Sequence, residues 1–525
     1  MTIPRTTPIP ADGRFPLPPA LNLTGPTRPT RLLAHYLDRP LTHEGPPIHL
    51  ELTNGSEPES YRLAIRPDSV HLTAPAESGL FHGVQTLRQL LALSPDGSSW
   101  PCLTLEDAPR LPWRGVMLDV ARHFMPIEFL RDFIDLLALH KLNVLHLHLT
   151  DDQGWRVEIE GLPRLTEVGA WRTESMIGPA GSDRFDGVPH GGFYTQDELR
   201  GLVGFAADRG VRIVPEIEMP GHARAALAAY PELGVGGGSG HVRPLPVWTS
   251  WGICEDVFGV HGRALDFCRT VLGQVIDIFP DPFVHIGGDE CPSAQWAADP
   301  YSSRRVAELG LDGPEQLHGW FLGQVRDFLA EHGRRGVSWD TAAPEPSGLP
   351  TDLVLAAWLE PAHAARSIEY GHQVLLTPHQ SLFLDYAQRD HPDEPPGQPG
   401  HLVTLEDVYA FDPLALGGGG PADVAALDTL EPGVLGAQAQ IWTEFLGTPA
   451  DVLRVAFPRL AAFAESTWSG GRPRDDEGFR DFRARLAAHV PQLVRLGALT
   501  AERAADPADV VAGSSPADRP AKIEV

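Results

Sequence analysis

NVLHLHLT, residues 143–150, is an almost unbroken apolar run of strand length, and RGVMLDV, residues 114–120, is another just upstream. Between them Pro126 opens a stretch in which Ile127, Leu130, Ile134 and Leu137 share one helical face. Two such runs joined by an amphipathic helix read as parallel strands with a helical crossover, because strands covered on both faces lose the apolar–polar alternation. The pattern recurs at VRIVPEIE (211–218), FVHIGGDE (283–290), GVSWD (336–340), DLVLAAW (352–358), HQVLLTP (372–378) and VLGAQAQIW (434–442). Before the third run, Thr195 and Glu198 stand at capping-box spacing and Gly210 supplies a stop. Eight strand–helix units predict an α/β fold, a (β/α)8 TIM barrel.

Upstream of the barrel the periods change. Tyr61, Leu63 and Ile65 alternate, Val70 and Leu72 alternate after a Pro-Asp turn, and residues 79–93 carry helical spacing, so a small α+β domain is expected first. The division expected is 1–108 for the small domain, 109–475 for the barrel, and 476–525 for a C-terminal helix and a disordered tail, since the composition turns to Ala, Asp and Pro after Leu499. Residues 173–192 and 388–431, the latter with four glycines at 417–420, read as long irregular loops.

With 42 basic against 69 acidic residues, the net charge of −27 argues against a nucleic-acid partner or an anionic membrane surface. No apolar run approaches the ~20 residues that span a bilayer, and the N-terminal residues lack the pattern of a secretory signal. The four cysteines form no CxxC pair and read as free thiols, which suits a cytoplasmic protein. The sequence gives no indication of oligomeric state.

Active sites of such barrels lie at the C-terminal ends of the strands. There the sequence places Asp119 and Arg122, Asp151 and Asp152, Glu218 and His222, Asp289 and Glu290, Trp339 and Asp340, Trp358, and Trp442 with Glu444. Carboxylates beside tryptophans suit a sugar, whose apolar faces stack on indoles and whose hydroxyls bond to carboxylates. In HIGGDE, Gly287 and Gly288 free the backbone so that both following carboxyls can turn to one substrate. Neighbouring like charges resist joint ionisation, which leaves a proton to donate; the division expected is Glu290 as acid and Asp289 as anion. His146 and His148, two apart on a strand, have the spacing of a metal pair. Cys291 lacks a base within sequence reach and reads as a buried thiol.

RGVMLDVARHF, KLNVLHLHLTDDQGW, VPEIEMPGH, HIGGDECP and QAQIWTEF, in this order, resemble glycoside hydrolase family 20, the β-N-acetylhexosaminidases, over roughly residues 110–470. The resemblance implies retaining, substrate-assisted removal of terminal N-acetylglucosamine or N-acetylgalactosamine from an oligosaccharide or glycoconjugate, through an oxazolinium intermediate. It makes Glu290 the acid and base, and gives Asp289 the acetamido N–H. Asp151 and His222 become a polar pair behind the acid, with Glu218 supporting His222. Arg122, Asp385 and Glu444 would bind hydroxyls, and Trp339, Trp358 and Trp442 would wall the acetamido pocket. It requires no metal and no cofactor, and assigns His146 and His148 to shaping the barrel mouth.

The sequence departs from the family at Phe383, where a tyrosine usually donates to the acetamido oxygen. A missing hydroxyl there predicts slower turnover or an altered substrate, such as a lacto-N-biose unit. A barrel that merely binds amino sugars, or a metal-dependent hydrolase using the two strand histidines, are the alternatives from other classes.

Overall fold

In a computed structural model, residues 2–94, 97–240, 242–340, 349–416, 423–470 and 474–505 are described. The glycine run at 417–420 and the tail from 506 onward lie outside them.

Eight parallel strands close into a barrel: β1 (Trp113–Asp119), β2 (Val144–His148), β3 (Arg212–Glu216), β4 (Phe283–His285), β5 (Arg335–Trp339), β6 (Val354–Ala357), β7 (Gln373–Leu376) and β8 (Gly433–Ile441). Each falls within or one residue beside an apolar run picked out in the sequence. β8 pairs back on β1, with Gly436 opposite Trp113 and Ile441 opposite Leu118, so no edge remains open. The register sets Asp119 opposite His148, His148 opposite Glu216 and Glu216 opposite His285, four polar residues from four successive strands at one level.

The barrel is plugged by one buried cluster that includes Trp113, Val144, Val214, Phe283, Val337, Val354 and Leu375. This apolar floor forces the polar chemistry toward the C-terminal rim.

The helix Ile127–Leu139 follows β1, with Pro126 as its N-cap and Leu130, Ile134 and Leu137 buried. Gln196–Ala207 begins at the predicted capping box, Thr195 accepting from the Glu198 N–H, and ends at Asp208. Gly210, with φ +73°, turns the chain into β3.

The N-terminal region forms a six-stranded sheet in the order Ile9–Pro16, Ser99–Asp107, Tyr61–Ile65, Val70–Ala74, Pro47–Leu52, Asn22–Thr24. Its helix Glu77–Ala92 lies between this sheet and the barrel, and the Gln89 amide donates to Leu139 O at 2.8 Å. The interface is ionic: the buried Arg114 guanidinium donates to both oxygens of Glu59 at 2.9 Å, and Lys141 donates to Asp107 at 2.7 Å. Ile3, by contrast, packs in the barrel's core, not the small domain's.

Two expectations are corrected. The loop 388–431 contains a strand, Gln398–Leu402, and a helix, Leu405–Ala410, which a capping box between Thr404 and Asp407 starts. The chain after Leu499 forms a further short helix, Ala501–Ala505, before the undescribed tail. No helix among the described residues is long and apolar enough to cross a membrane.

Candidate active site

The turn after β4 is built by glycine. Gly287 and Gly288 have φ +63° and +98°. A Cβ on Gly287 would stand 1.7 Å from Glu218 Oε2, and one on Gly288 would meet Ser338 Oγ at 2.6 Å. Only residues without a side chain fit there, and Asp289 and Glu290 follow at once, Glu290 in the left-handed region at φ +43°. His222 opposite is likewise left-handed, at φ +46°. Strained backbone at two facing polar residues marks a place where geometry was kept at the expense of relaxed conformation.

His222 joins the two sides. Its Nε2 lies 3.6 Å from Glu290 and 3.8 Å from Asp289, and its Nδ1 lies 3.3 Å from Asp151 and 3.1 Å from Asp152. The polar pair expected of Asp151 and His222 is therefore a trio, because Asp152 takes the shorter contact. Burial alone would lower the pKa of His222, but Asp151 and its other carboxylate neighbours overcome this and push it well above the usual value, so the ring is a cation. Burial raises the Asp151 pKa, and Arg122 and His222 reverse the effect and hold its carboxyl well below its usual range.

Asp289 and Glu290 differ in exposure: the Asp289 side chain is 15% exposed and that of Glu290 37%. Burial, with Glu290 adding repulsion and His222 opposing, raises the Asp289 pKa. The physical reason is depth, since the aspartate sits behind the glutamate, away from solvent.

Arg122 donates to Asp151 at 2.8 Å, and its guanidinium stacks over Trp442 at 4.8 Å. Trp442 in turn packs against Trp339 at 5.7 Å and Phe383 at 6.3 Å, and Phe383 stacks on Trp358 at 6.5 Å. Trp358 is held by its N–H to Asp340 O at 2.8 Å. Burial, reinforced by the charge of Glu444, raises the Asp385 pKa well above its usual value. Both Asp385 oxygens, Asp289 Oδ1 and Glu444 Oε2 are buried with no hydrogen-bond partner among the described residues. Unsatisfied buried oxygens of this number at one rim call for a donor-rich ligand. Direct contacts thus join Arg122, Asp151, His222, Asp289, Glu290, Trp339, Trp358, Phe383 and Trp442 at one rim.

Glu218 does not bond to His222 as expected. Its carboxyl sits against Gly287 with neither oxygen hydrogen-bonded among the described residues, and burial, reinforced by Asp289, raises its pKa well above normal. Cys291 is half-buried, and burial pushes its thiol up to about 12, which leaves it no nucleophile.

Sequence reading missed Glu216. Wholly buried inside the barrel, it accepts from His148 Nδ1 at 2.5 Å and from Trp339 Nε1 at 2.7 Å, with His146 Nε2 at 2.9 Å and His285 Nδ1 at 2.8 Å. The available signal was a lone acid in an apolar strand. His146, Glu216 and His285 crowd closely enough to hold a cation, as do Asp151, Asp152 and His222. Gln438 Nε2 donates to His146 Nδ1 at 2.9 Å, which puts that ring's hydrogen on Nε2, an atom with no hydrogen-bond partner among the described residues.

The description of the glycosyl hydrolase family 20 catalytic domain matches residues 111–471, and that of the family's domain 2 matches residues 29–108. A beta-hexosaminidase of Porphyromonas gingivalis is 37% identical over 437 residues, 82% of this chain; the chain spans 52% of that relative's length. A beta-N-acetylhexosaminidase of Cellulomonas fimi is 34% identical over 475 residues, 86% of this chain and 85% of its own. Among solved structures, a family 20 exo beta-N-acetylglucosaminidase of Vibrio harveyi in complex with N-acetylglucosamine superposes with a TM-score of 0.81 at 32% identity, covering 94% of this chain and 77% of that one. A mutant beta-hexosaminidase of Streptomyces plicatus with product GlcNAc gives 0.76 at 30% identity, covering 95% of each chain. The chain, from its small α+β domain through its barrel, belongs to glycosyl hydrolase family 20.

Proposed function

We propose that this protein is a retaining exo-β-N-acetylhexosaminidase that releases a terminal β-linked N-acetylhexosamine from an oligosaccharide or glycoconjugate. The observation that carries the reading is the Asp289–Glu290 pair on its two-glycine turn, facing cationic His222 beside an aromatic chamber with unsatisfied carboxyl oxygens.

The more exposed carboxyl, Glu290, protonates the glycosidic oxygen. The substrate's own acetamido carbonyl oxygen attacks the anomeric carbon as the bond to the leaving oxygen breaks, so no enzyme nucleophile is needed. Asp289 accepts the acetamido N–H. As positive charge grows on the oxazolinium ring, that charge counteracts the burial that raises the Asp289 pKa and favours its anion. Glu290, now ionised, takes a proton from water, which attacks the anomeric carbon from the face the leaving group vacated, and configuration is retained. Trp339, Trp358, Phe383 and Trp442 wall the acetamido group, and Arg122, Asp385 and Glu444 take ring hydroxyls. The four unpaired thiols favour a reducing, cytoplasmic setting.

The test is release of 4-nitrophenol from 4-nitrophenyl N-acetyl-β-D-glucosaminide by wild type and Glu290→Gln. Turnover by the wild type and a loss of ~10²- to 10⁴-fold in the variant are expected for removal of a general acid. Equal rates, or an inert wild type, would contradict the reading.

A further inference from the structure

We propose that Glu216 is a positioning residue for the acid that cleaves the glycosidic bond, acting through His148; the inference rests on the assignment of Glu290 as that acid. Glu216 closes β3 at full burial, and the chemistry above gives it no contact with substrate. An ionised carboxylate inside a barrel is retained only if it is surrounded by donors. Here it is: burial would raise its pKa, but His285, His148 and His146 overcome that and hold it well below its usual range.

His148 carries the connection. Its Nδ1 donates to Glu216 at 2.5 Å and its Nε2 to Asp151 Oδ2 at 2.9 Å. With a carboxylate on each side, both nitrogens must bear hydrogen, so the ring is an imidazolium. Burial opposes the charge, yet Glu216, Asp151 and the nearby Asp119 raise the pKa to about 10. The edge of Trp442 packs on this ring at 5.0 Å, and Glu218 reaches the same crowd from the end of its strand.

Asp151 is thereby fixed from two sides, by His148 and by Arg122, both on Oδ2. Its other oxygen accepts from the Asp152 N–H at 2.6 Å and faces His222 Nδ1 at 3.3 Å, and His222 Nε2 faces Glu290 at 3.6 Å. Charges alternate along the line Glu216, His148, Asp151, His222, and the last of these rings faces Glu290, the acid. Neutralising the first member leaves His148 with Asp151 as its one charged hydrogen-bond partner, frees that ring to turn and draw Asp151 Oδ2 with it, and so loosens the His222 ring that aims the acid. The other Glu216 oxygen holds the Trp339 N–H at 2.7 Å, so Glu216 also touches the pocket wall.

Leaving-group dependence separates the two consequences. Cleavage of chitobiose needs a proton on the departing oxygen, whereas 2,4-dinitrophenolate leaves without one; a change confined to the wall or to overall folding affects both equally. For Glu216→Gln, kcat/KM on chitobiose is expected to fall ~10-fold or more, within the range of general-acid assistance, while kcat/KM on 2,4-dinitrophenyl N-acetyl-β-D-glucosaminide falls less than ~3-fold. Equal losses on both substrates would overturn the proposal. Should Glu216→Gln fail to fold, His148→Gln is read in the same way, with the same two outcomes. A wild type inert toward both substrates would instead remove the assignment of Glu290, and this inference with it.

Discussion

Gly287 and Gly288 decide, at the scale of single residues, that two adjacent carboxyls face one chamber. Gly287→Ala forces a Cβ to within 1.7 Å of Glu218 Oε2 at φ +63°, and we expect a loss of ~1–3 kcal/mol in chemical denaturation together with lost turnover. An unchanged midpoint and rate would show that the turn has room to relax. Phe383 makes the opposite kind of prediction. Its ring already lies between Trp358 and Trp442, so Phe383→Tyr adds a hydroxyl at the aromatic wall without changing the stack. A gain of tenfold or more in kcat on 4-nitrophenyl N-acetyl-β-D-glucosaminide is expected, a fraction of the ~10²–10³ that one well-placed donor contributes. No gain would mean that the acetamido oxygen is already served. Asp289 and Glu290 were legible in sequence because two glycines before two acids have few bland explanations. Glu216 was not, because its importance comes from barrel register, which brings His148 and His285 beside it from neighbouring strands.

Elements carry their own weak point where the C-terminal helix Asp476–Arg495 meets the end of Ile127–Leu139. There His140 Nε2 and His489 Nε2 stand 3.1 Å apart, both buried, with the Phe457 ring 5.4 Å from His140. His140 is also tied through Nδ1 to Leu136 O at 2.7 Å, and the charge of Arg88 opposes protonation of both rings. Burial lowers the pKa of His140 to about 4 and that of His489 further, with His140 adding to the effect. Folded pKa values below the unfolded ~6.5 mean that stability is fully present above about 6.5 and is lost as pH falls toward 4 and below. We expect the melting temperature to drop over that window, and His489→Gln to flatten the drop; identical pH profiles would count against the pair. The eight barrel strands were readable because strands covered on both faces are apolar throughout. The strand Ile9–Pro16 was not, for seven of its eight residues are exposed and no period survives. The helix Leu405–Ala410 was overlooked although Thr404 and Asp407 stand at capping-box spacing, because the surrounding Gly and Pro dominated the reading.

For the molecule as a whole, the small domain and barrel are joined by the buried cluster around Glu59, Arg114 and His82. Burial would raise the Glu59 pKa, but Arg114 and His82 overcome it and hold the carboxyl well below its usual range, so its contribution is present above about pH 4.5 and is lost in stronger acid. Glu59→Gln strands a fully buried guanidinium, and a loss of ~3–5 kcal/mol is expected by denaturant titration at neutral pH. A change under ~1 kcal/mol would show that Arg114 is satisfied by Leu111 O and Lys141 O alone. The sequence indicated a small domain ahead of a barrel but could not show this joint, since Glu59 and Arg114 are far apart in the chain. On the proposed function, the assembly forms a chamber in which the substrate supplies its own nucleophile. The most direct measurement is kcat/KM along 4-nitrophenyl glucosaminides bearing acetyl, fluoroacetyl, difluoroacetyl and trifluoroacetyl groups on nitrogen. Each fluorine weakens the carbonyl oxygen as a nucleophile, so the account predicts a steep, monotonic fall in rate. A flat series would contradict it, and would assign the attack on the anomeric carbon to a carboxylate of the protein.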